Sequence, residues 1–490
     1  MKLTYLFFSM RTIIFIFAFF LFANISFAQN PDIKRTYHWY FGNKAGIDFS
    51  SGSPVAVTNS AMNSIEGCAS ISDTAGNLLF YTDGDTVYDK NHQIMPNGTG
   101  LMGHWSAWQN SLIVPQPGNN DIYYIFTGDA FENSFMNGIR YSIVDMTLNL
   151  GMGDVTAKNI LMVSPNAEGL AAVHHSNCQD IWVICHKDST NDFYSYLLTS
   201  TGLSPPIITT IGNCINAHYG TILGIKFSPD GSMLATNNFF DYGFNPAVRD
   251  TLELYLFDKA NGLLNNKVLL PDSAIYGYSF SPDNKKLYVS TGLYTTKVYQ
   301  YDLSIYSQSS IATSKTLIYE TAPSTYYLEM QITPAGKIYL AKYSKDTLSV
   351  IDSPNLAGGA CNYLDNGFHL AGRNANYSLP NFIESYFDTA TCFVGIVEHA
   401  NESEQIFVYP NPFNESTVVF INNINFIGNN IKIELFDMFG KNQQIPKPEI
   451  DYKNNKIEIR ISRGNLINGF YQLKIITDRH TYMQKLIIIN

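Results

Sequence analysis

Trp105 and Trp108 stand three residues apart, with His104 before the first and Gln109 after the second. Indole rings in such a setting stack on sugar rings or peptide, while amides and carboxylates around them fix hydrogen-bonding groups. Comparable groups recur along the chain: Asn63 and Glu66, Asn166 and Glu168, His218 and Tyr219, Tyr276, Tyr326 with Tyr327, and Arg373, Asn374 and Tyr377. Glu66, Glu168 and Glu329 add carboxylates which, brought to one place, would suit a glycoside-cleaving pair. His174, His175 and His186 raise the question of a metal, but adjacent residues on a strand point to opposite faces. No Cys/His spacing resembles a zinc site, and the chain has neither a Gly-x-Ser-x-Gly elbow nor a compact acidic cluster. No metal, no cofactor and no catalytic residue is therefore assigned.

The elements that must position these residues come from a repeat between residues 60 and 385. Its clearest copies are Phe-Ser-Pro-Asp-Gly-Ser-Met-Leu-Ala at 227–235 and Phe-Ser-Pro-Asp-Asn-Lys-Lys-Leu-Tyr-Val at 280–289, with a weaker one at 332–340. Each is strand, tight turn, strand: Pro and Gly or Asn supply the turn dihedrals, and the flanks alternate apolar and polar. The same template fits 71–80, 114–124 and 173–183. A third strand follows each hairpin, at 86–88, 139–143, 193–197, 252–257, 297–301 and 348–351. Four-stranded units at intervals of 45–60 residues predict a β-propeller, whose blades bury one another's faces. Six hairpins leave a seventh blade, expected to take its inner strand from Leu-Pro-Asn-Phe-Ile-Glu-Ser at 379–385 and its outer strands from 37–49 and 54–57. Pairing the two ends closes the ring and removes open sheet edges. The fold expected is all-β: a seven-bladed β-propeller, with six or eight blades as the alternatives, followed by a small C-terminal β-sandwich. In such a ring the segments before each inner strand line one mouth of the channel. That predicts a ligand-binding mouth of Glu66, His104, Trp105, Trp108, Gln109, Glu168, His218, Tyr219, Tyr276, Tyr326, Tyr327, Arg373, Asn374 and Tyr377.

Composition agrees with sheets. Only 15% of the 490 residues are charged, and Tyr and Phe number 32 each. That balance argues against disorder and long surface helices. The net charge of −10 argues against nucleic acid or an anionic membrane as main partner, since both select basic patches.

Several stretches carry a resemblance: Trp-Tyr-Phe-Gly-Asn-Lys-Ala-Gly-Ile-Asp-Phe at 39–49, Glu-Gly-Cys-Ala-Ser-Ile-Ser-Asp at 66–73, Asn-Leu-Leu-Phe-Tyr-Thr-Asp-Gly at 77–84, Lys-Asn-His-Gln-Ile-Met-Pro-Asn-Gly at 90–98, and 379–387. Together they resemble exported, WD-repeat-like propeller proteins of Bacteroidota, a family that implies no particular activity. Asp-Ser/Thr triplets such as those at 73–75, 346–348 and 388–390 resemble the O-glycan acceptor motif of that phylum.

The two ends speak of export. Lys2 and Arg11 flank an apolar run at 13–22, and Ser26 and Ala28 fit a small-x-small cleavage site, so 1–28 is expected to be a signal peptide cut after Ala28. The run is about half the ~20 residues that span a bilayer. Loss of Lys2 and Arg11 takes the net charge from −10 to about −12. The propeller is then placed at 29–388 and a polar linker at 389–405. Five alternating strands follow within 406–490. Val-Tyr-Pro-Asn-Pro-Phe-Asn at 408–414, Asp-Met-Phe-Gly-Lys at 437–441 and Leu-Ile-Asn-Gly-Phe-Tyr-Gln-Leu-Lys at 466–474 resemble the type A sorting domain of the type IX secretion system. That resemblance implies the type IX translocon as partner and a secreted or outer cell-surface destination; the aromatic mouth adds an expected extracellular glycan or protein ligand, and the acidic charge excludes nucleic acid. An oxidising destination permits disulfides among the six cysteines. Cys178 in a turn and Cys185 at the end of the following strand, 181–186, are expected not to bond each other, because seven residues of strand span about 23 Å and a disulfide needs Cα atoms within about 7 Å.

Overall fold

The computed structural model describes residues 30–212, 220–240, 251–271, 275–292, 295–321, 329–388, 405–422, 431–437, 441–453, 456–477 and 481–489. Two compact units divide between Thr391 and Cys392, with Asn177–Gln179 grouped apart from the larger.

The larger unit holds seven antiparallel sheets in chain order, at 38–57, 69–89, 111–163, 166–210, 220–271, 275–320 and 330–369. The first two have three strands, the fourth has five and the others four. The hairpins are built by the residues that predicted them. Ser228 N–H donates to Met233 O at 2.9 Å, and its hydroxyl donates to Asp230 Oδ1 at 2.6 Å. Ser281 repeats both contacts with Lys286 and Asp283, at 2.9 and 2.6 Å. Gly231 and Asn284 take the positive φ of these turns, +72° and +61°, a region that costs Gly nothing and Asn little.

The core lies between neighbouring sheets, as stacked blades require. One buried cluster joins the first, second, sixth and seventh sheets through Trp39, Tyr81, Tyr288 and Tyr339. Others join the second to fourth, the fourth to fifth, and the fifth to sixth. Bridges Asn43–Asn63 and Asn43–Asn374 tie the first sheet to its two neighbouring segments.

The closure differs from expectation in one respect. The segment 379–385 forms no strand. Pro380 has no N–H to give to a ladder. The segment instead runs down the channel, bonding to inner strands of several blades. Leu379 N–H donates to Glu329 Oε2 at 2.7 Å, and Asn381 N–H to Cys68 O at 2.9 Å. The Asn381 amide donates to Leu170 O at 3.0 Å and Ser111 O at 3.4 Å. Lys226 Nζ approaches Glu384 Oε1 at 3.5 Å, and Ser385 Oγ accepts from His174 N–H at 2.9 Å. A 3-10 turn, Glu384–Phe387, ends the segment at the end of the channel away from the mouth.

Cys178 is disulfide-bonded while Cys185 is a buried free thiol, so the two are not joined, as the strand length demands.

The smaller unit is a sandwich of two four-stranded antiparallel sheets. One orders Gln405–Tyr409, Ser416–Asn422, Lys456–Ser462 and Glu449–Lys453; the other Asn442–Gln443, Lys432–Asp437, Gly469–Ile476 and Thr481–Ile488. Val419, Ile459, Leu473 and Leu486 lie in its core. Its opening motif pins the last strand. Asn411 Oδ1 accepts Ile487 N–H at 2.8 Å, its amide donates to Lys485 O at 2.7 Å, and buried Phe413 pairs with Ile487 and Ile489 through its backbone.

Candidate functional site

Each inner strand runs from one end of the channel to the other, so the residues before it gather at a common mouth. Glu66 precedes Ala69–Ser72, and His104 to Gln109 precede Ser111–Pro115. Glu168 lies in the first turn of pleat of Asn166–His174, and Tyr276 is second in Ile275–Phe280. Several of these groups contact one another. The Trp108 and Tyr276 rings, from the third and sixth blades, have centroids 5.9 Å apart. Trp108 N–H donates to Glu168 Oε2 at 2.9 Å, Tyr377 N–H to Ile65 O at 3.1 Å, and Asn374 O accepts Asn43 N–H at 2.8 Å. Tyr377 stacks on Tyr343 at 4.2 Å, and Arg373 reaches Thr58 O at 3.3 Å. His218, Tyr219, Tyr326 and Tyr327 lie outside the described residues.

The converging residues are not equivalent. Trp105 is 57% exposed, whereas Trp108 is 6% exposed. Gln109 is committed to the fold: its Oε1 accepts from Leu170 and Ile225 N–H and its amide donates to Ile225 O, all at 2.9 Å. Asn166 is likewise buried, its amide turned to Asp129 O at 3.4 Å. The His104 ring packs against Trp105 at a tilt of 34°, with centroids 5.4 Å apart. Its Nδ1 accepts Ser106 N–H at 3.2 Å, which assigns the lone pair there. Glu132 stands 3.9 Å from that nitrogen and is held by the Ser106 hydroxyl at 2.7 Å. Glu132 was not legible as a mouth residue, because it belongs to the loop after the second strand of its blade.

Burial pushes the Glu66 carboxyl up to about 9, with repulsion from Glu168, Glu132 and Glu329 adding to it. Burial also raises Glu168 to about 8, against the Trp108 N–H bond that favours its charged form. Glu329 rises to about 7, again chiefly by burial, while Lys226 opposes the shift. Glu384, 2% exposed beneath it, behaves alike. Its two oxygens accept no hydrogen bond; Lys226 faces it as an ion pair only. The carboxylates thus share one field, and both Glu66 and Glu168 are held protonated at neutral pH.

The three histidines serve the fold. His174 Nδ1 lies 2.8 Å from Ser385 Oγ, and His175 Nε2 lies 3.1 Å from Ala260 O. His186 is buried against Phe193 and lowered to about 4 by that burial. Among the described residues no group of three His, Cys, Asp or Glu is placed to hold a metal.

Residues 407–489 match the family described as secretion system C-terminal sorting domain. This segment is a type IX sorting domain. The sorting domain marks a chain that is exported and then secreted or attached to the cell surface, and it implies contact with the type IX machinery. No curated protein matches the chain. Among solved structures, the chain is similar to the β-propeller domain of Cps50 (Swd1) from Myceliophteria thermophila, at 10% identity and a TM-score of 0.36, covering 63% of this chain and 93% of that one. A protein from Lactobacillus plantarum is 11% identical over 76% of this chain and 91% of its own, with a TM-score of 0.35. An exo-β-1,3-galactanase from Phanerochaete chrysosporium, solved with β-1,3-galactotriose, is 8% identical over 80% and 97%, with a TM-score of 0.31.

Proposed function

We propose that the propeller is a non-catalytic binding module that takes an extracellular glycan, or a protein ligand, at its mouth. The observation that carries this reading is the solvent-facing Trp105 ring, held by His104 beside a rim of carboxyl groups. An exposed indole with hydrogen-bonding groups at its edge suits the alternating apolar and hydroxyl faces of a sugar. Glu66, partly exposed and protonated, adds an O–H donor to that rim.

The alternative is a polysaccharide-acting hydrolase or lyase in the same mouth. A glycosidase pair needs its two carboxyl groups pushed apart, one protonated and one ionised. Glu66 and Glu168 are instead pushed the same way. That favours binding over cleavage.

The same reading takes 1–28 as a signal peptide, 29–388 as the exported binding unit and 389–405 as the linker to the sorting domain. A glycan and peptide array probed with the protein, followed by product detection on each hit, tests it. Retained ligand without turnover is the expected result. Turnover of a bound polysaccharide would establish the hydrolase reading, and an array with no hit would overturn binding at the mouth.

A further inference from the structure

A cavity of about 360 Å³ opens between the sixth and seventh blades. The sixth contributes Thr296, Tyr319 and Thr321; the seventh contributes Lys342, Lys345, Asp346, Thr347, Asp365 and Asn366. Thr296 begins its strand at the mouth end, and 341–346 is the connection at that same end of the seventh blade. The cavity therefore opens on the face that carries the mouth, with Tyr343 of this connection stacked on Tyr377 between them.

The walls are built rather than incidental. Lys342 is 6% exposed, and its Nζ donates to Asp365 O and Asn366 Oδ1, both at 2.6 Å. Thr347 Oγ1 donates to the same Asn366 oxygen at 2.9 Å. The register shifts between Leu348 and Val350 of the paired strand, and this bulge turns Asp365 and Asn366 inward. Tyr319 is fixed by a stack on Tyr363 at 4.4 Å.

Two carboxylates and two ammonium groups balance in the lining, so a strongly charged ligand of either sign gains no net field there. Three threonine hydroxyls, the Tyr319 phenol, an amide and the carboxylates place donors and acceptors close together around one aromatic ring. The volume equals that of about a dozen liquid waters and sits at the small end of ligand pockets. We propose that this inter-blade cavity is a second binding site, sized for one neutral sugar unit, distinct from the axial mouth.

Free glucose, galactose, mannose and N-acetylglucosamine, with glucuronate and glucosamine as charged comparators, provide the probes. Each is titrated into the full chain and followed by saturation-transfer NMR and calorimetry. We expect at least one neutral sugar to bind with a Kd on the order of millimolar and the charged comparators to bind more weakly. Asp346→Ala should weaken that binding ten-fold or more, and Thr321→Trp, which fills the cavity, should abolish it. Trp105→Ala should leave it unchanged, which separates this site from the mouth. Binding by none of the neutral sugars overturns the proposal. So does binding that Asp346→Ala leaves unchanged in a Trp105→Ala background, whether or not Thr321→Trp folds, or binding that Trp105→Ala alone removes.

Discussion

Trp105 turns its ring to solvent, while Trp108, three residues on, packs under Tyr276. Two residues of one type thus carry different burdens. Trp105→Ala should weaken glycan or peptide binding at the mouth ten-fold or more, about 1.4 kcal/mol, without moving the melting temperature. Trp108→Ala should instead cost about 3–5 kcal/mol of folding stability, read by thermal unfolding. The carboxyl groups give a pH dependence of definite sign. Glu66 and Glu168 have folded values near 9 and 8, above the ordinary carboxylate range. Between that range and the raised values the folded state holds more protons than the unfolded one, so stability falls as pH rises. The melting temperature should be lower at pH 9 than at pH 5, and Glu66→Gln with Glu168→Gln should flatten the difference. An unchanged slope in that double variant would remove these residues as its source. Most of the mouth was legible because a residue just before an inner strand of a propeller has its end of the channel assigned by topology alone. Whether such a residue meets solvent was not legible, as Gln109 shows: its amide is spent on two other blades.

The hairpins were legible because their chemistry is local. Ser228, Asp230 and Gly231 make the turn among themselves, as Ser281, Asp283 and Asn284 do one blade later. The axial segment was not, since 379–385 alternates in a way that also suits a strand, and its actual partners lie on blades distant in sequence. Its contribution can be tested at Asn381, whose amide serves Leu170 and Ser111 carbonyls together. Asn381→Ala should cost about 1–3 kcal/mol by leaving those groups unpaired. Phe382→Ala, removing a ring packed on Trp39 at 5.9 Å, should cost about 3–5 kcal/mol. Chemical denaturation measures both, and a neutral result for the pair would mean that the segment merely occupies the channel. The inter-blade cavity escaped the sequence for a related reason. Its lining comes from four separated stretches, and a bulge aims two of its residues.

At the scale of the whole chain, the sorting domain predicts destination independently of what the mouth binds. In cells lacking the type IX translocon the protein should accumulate in the periplasm, as fractionation and surface labelling would show. Surface display that persists there would refute the assignment. Phe413→Ala, which removes a buried ring from the core of the sorting domain, should reduce export without altering ligand binding by the propeller. The axial segment has a mechanical meaning as well. Tension drawn through the chain beyond Asp388 enters along the channel, where the bonds to Cys68, Ser111, Leu170 and Glu329 lie side by side across the pull. A propeller tethered by this end is fastened through its hub, and the load reaches several blades at once.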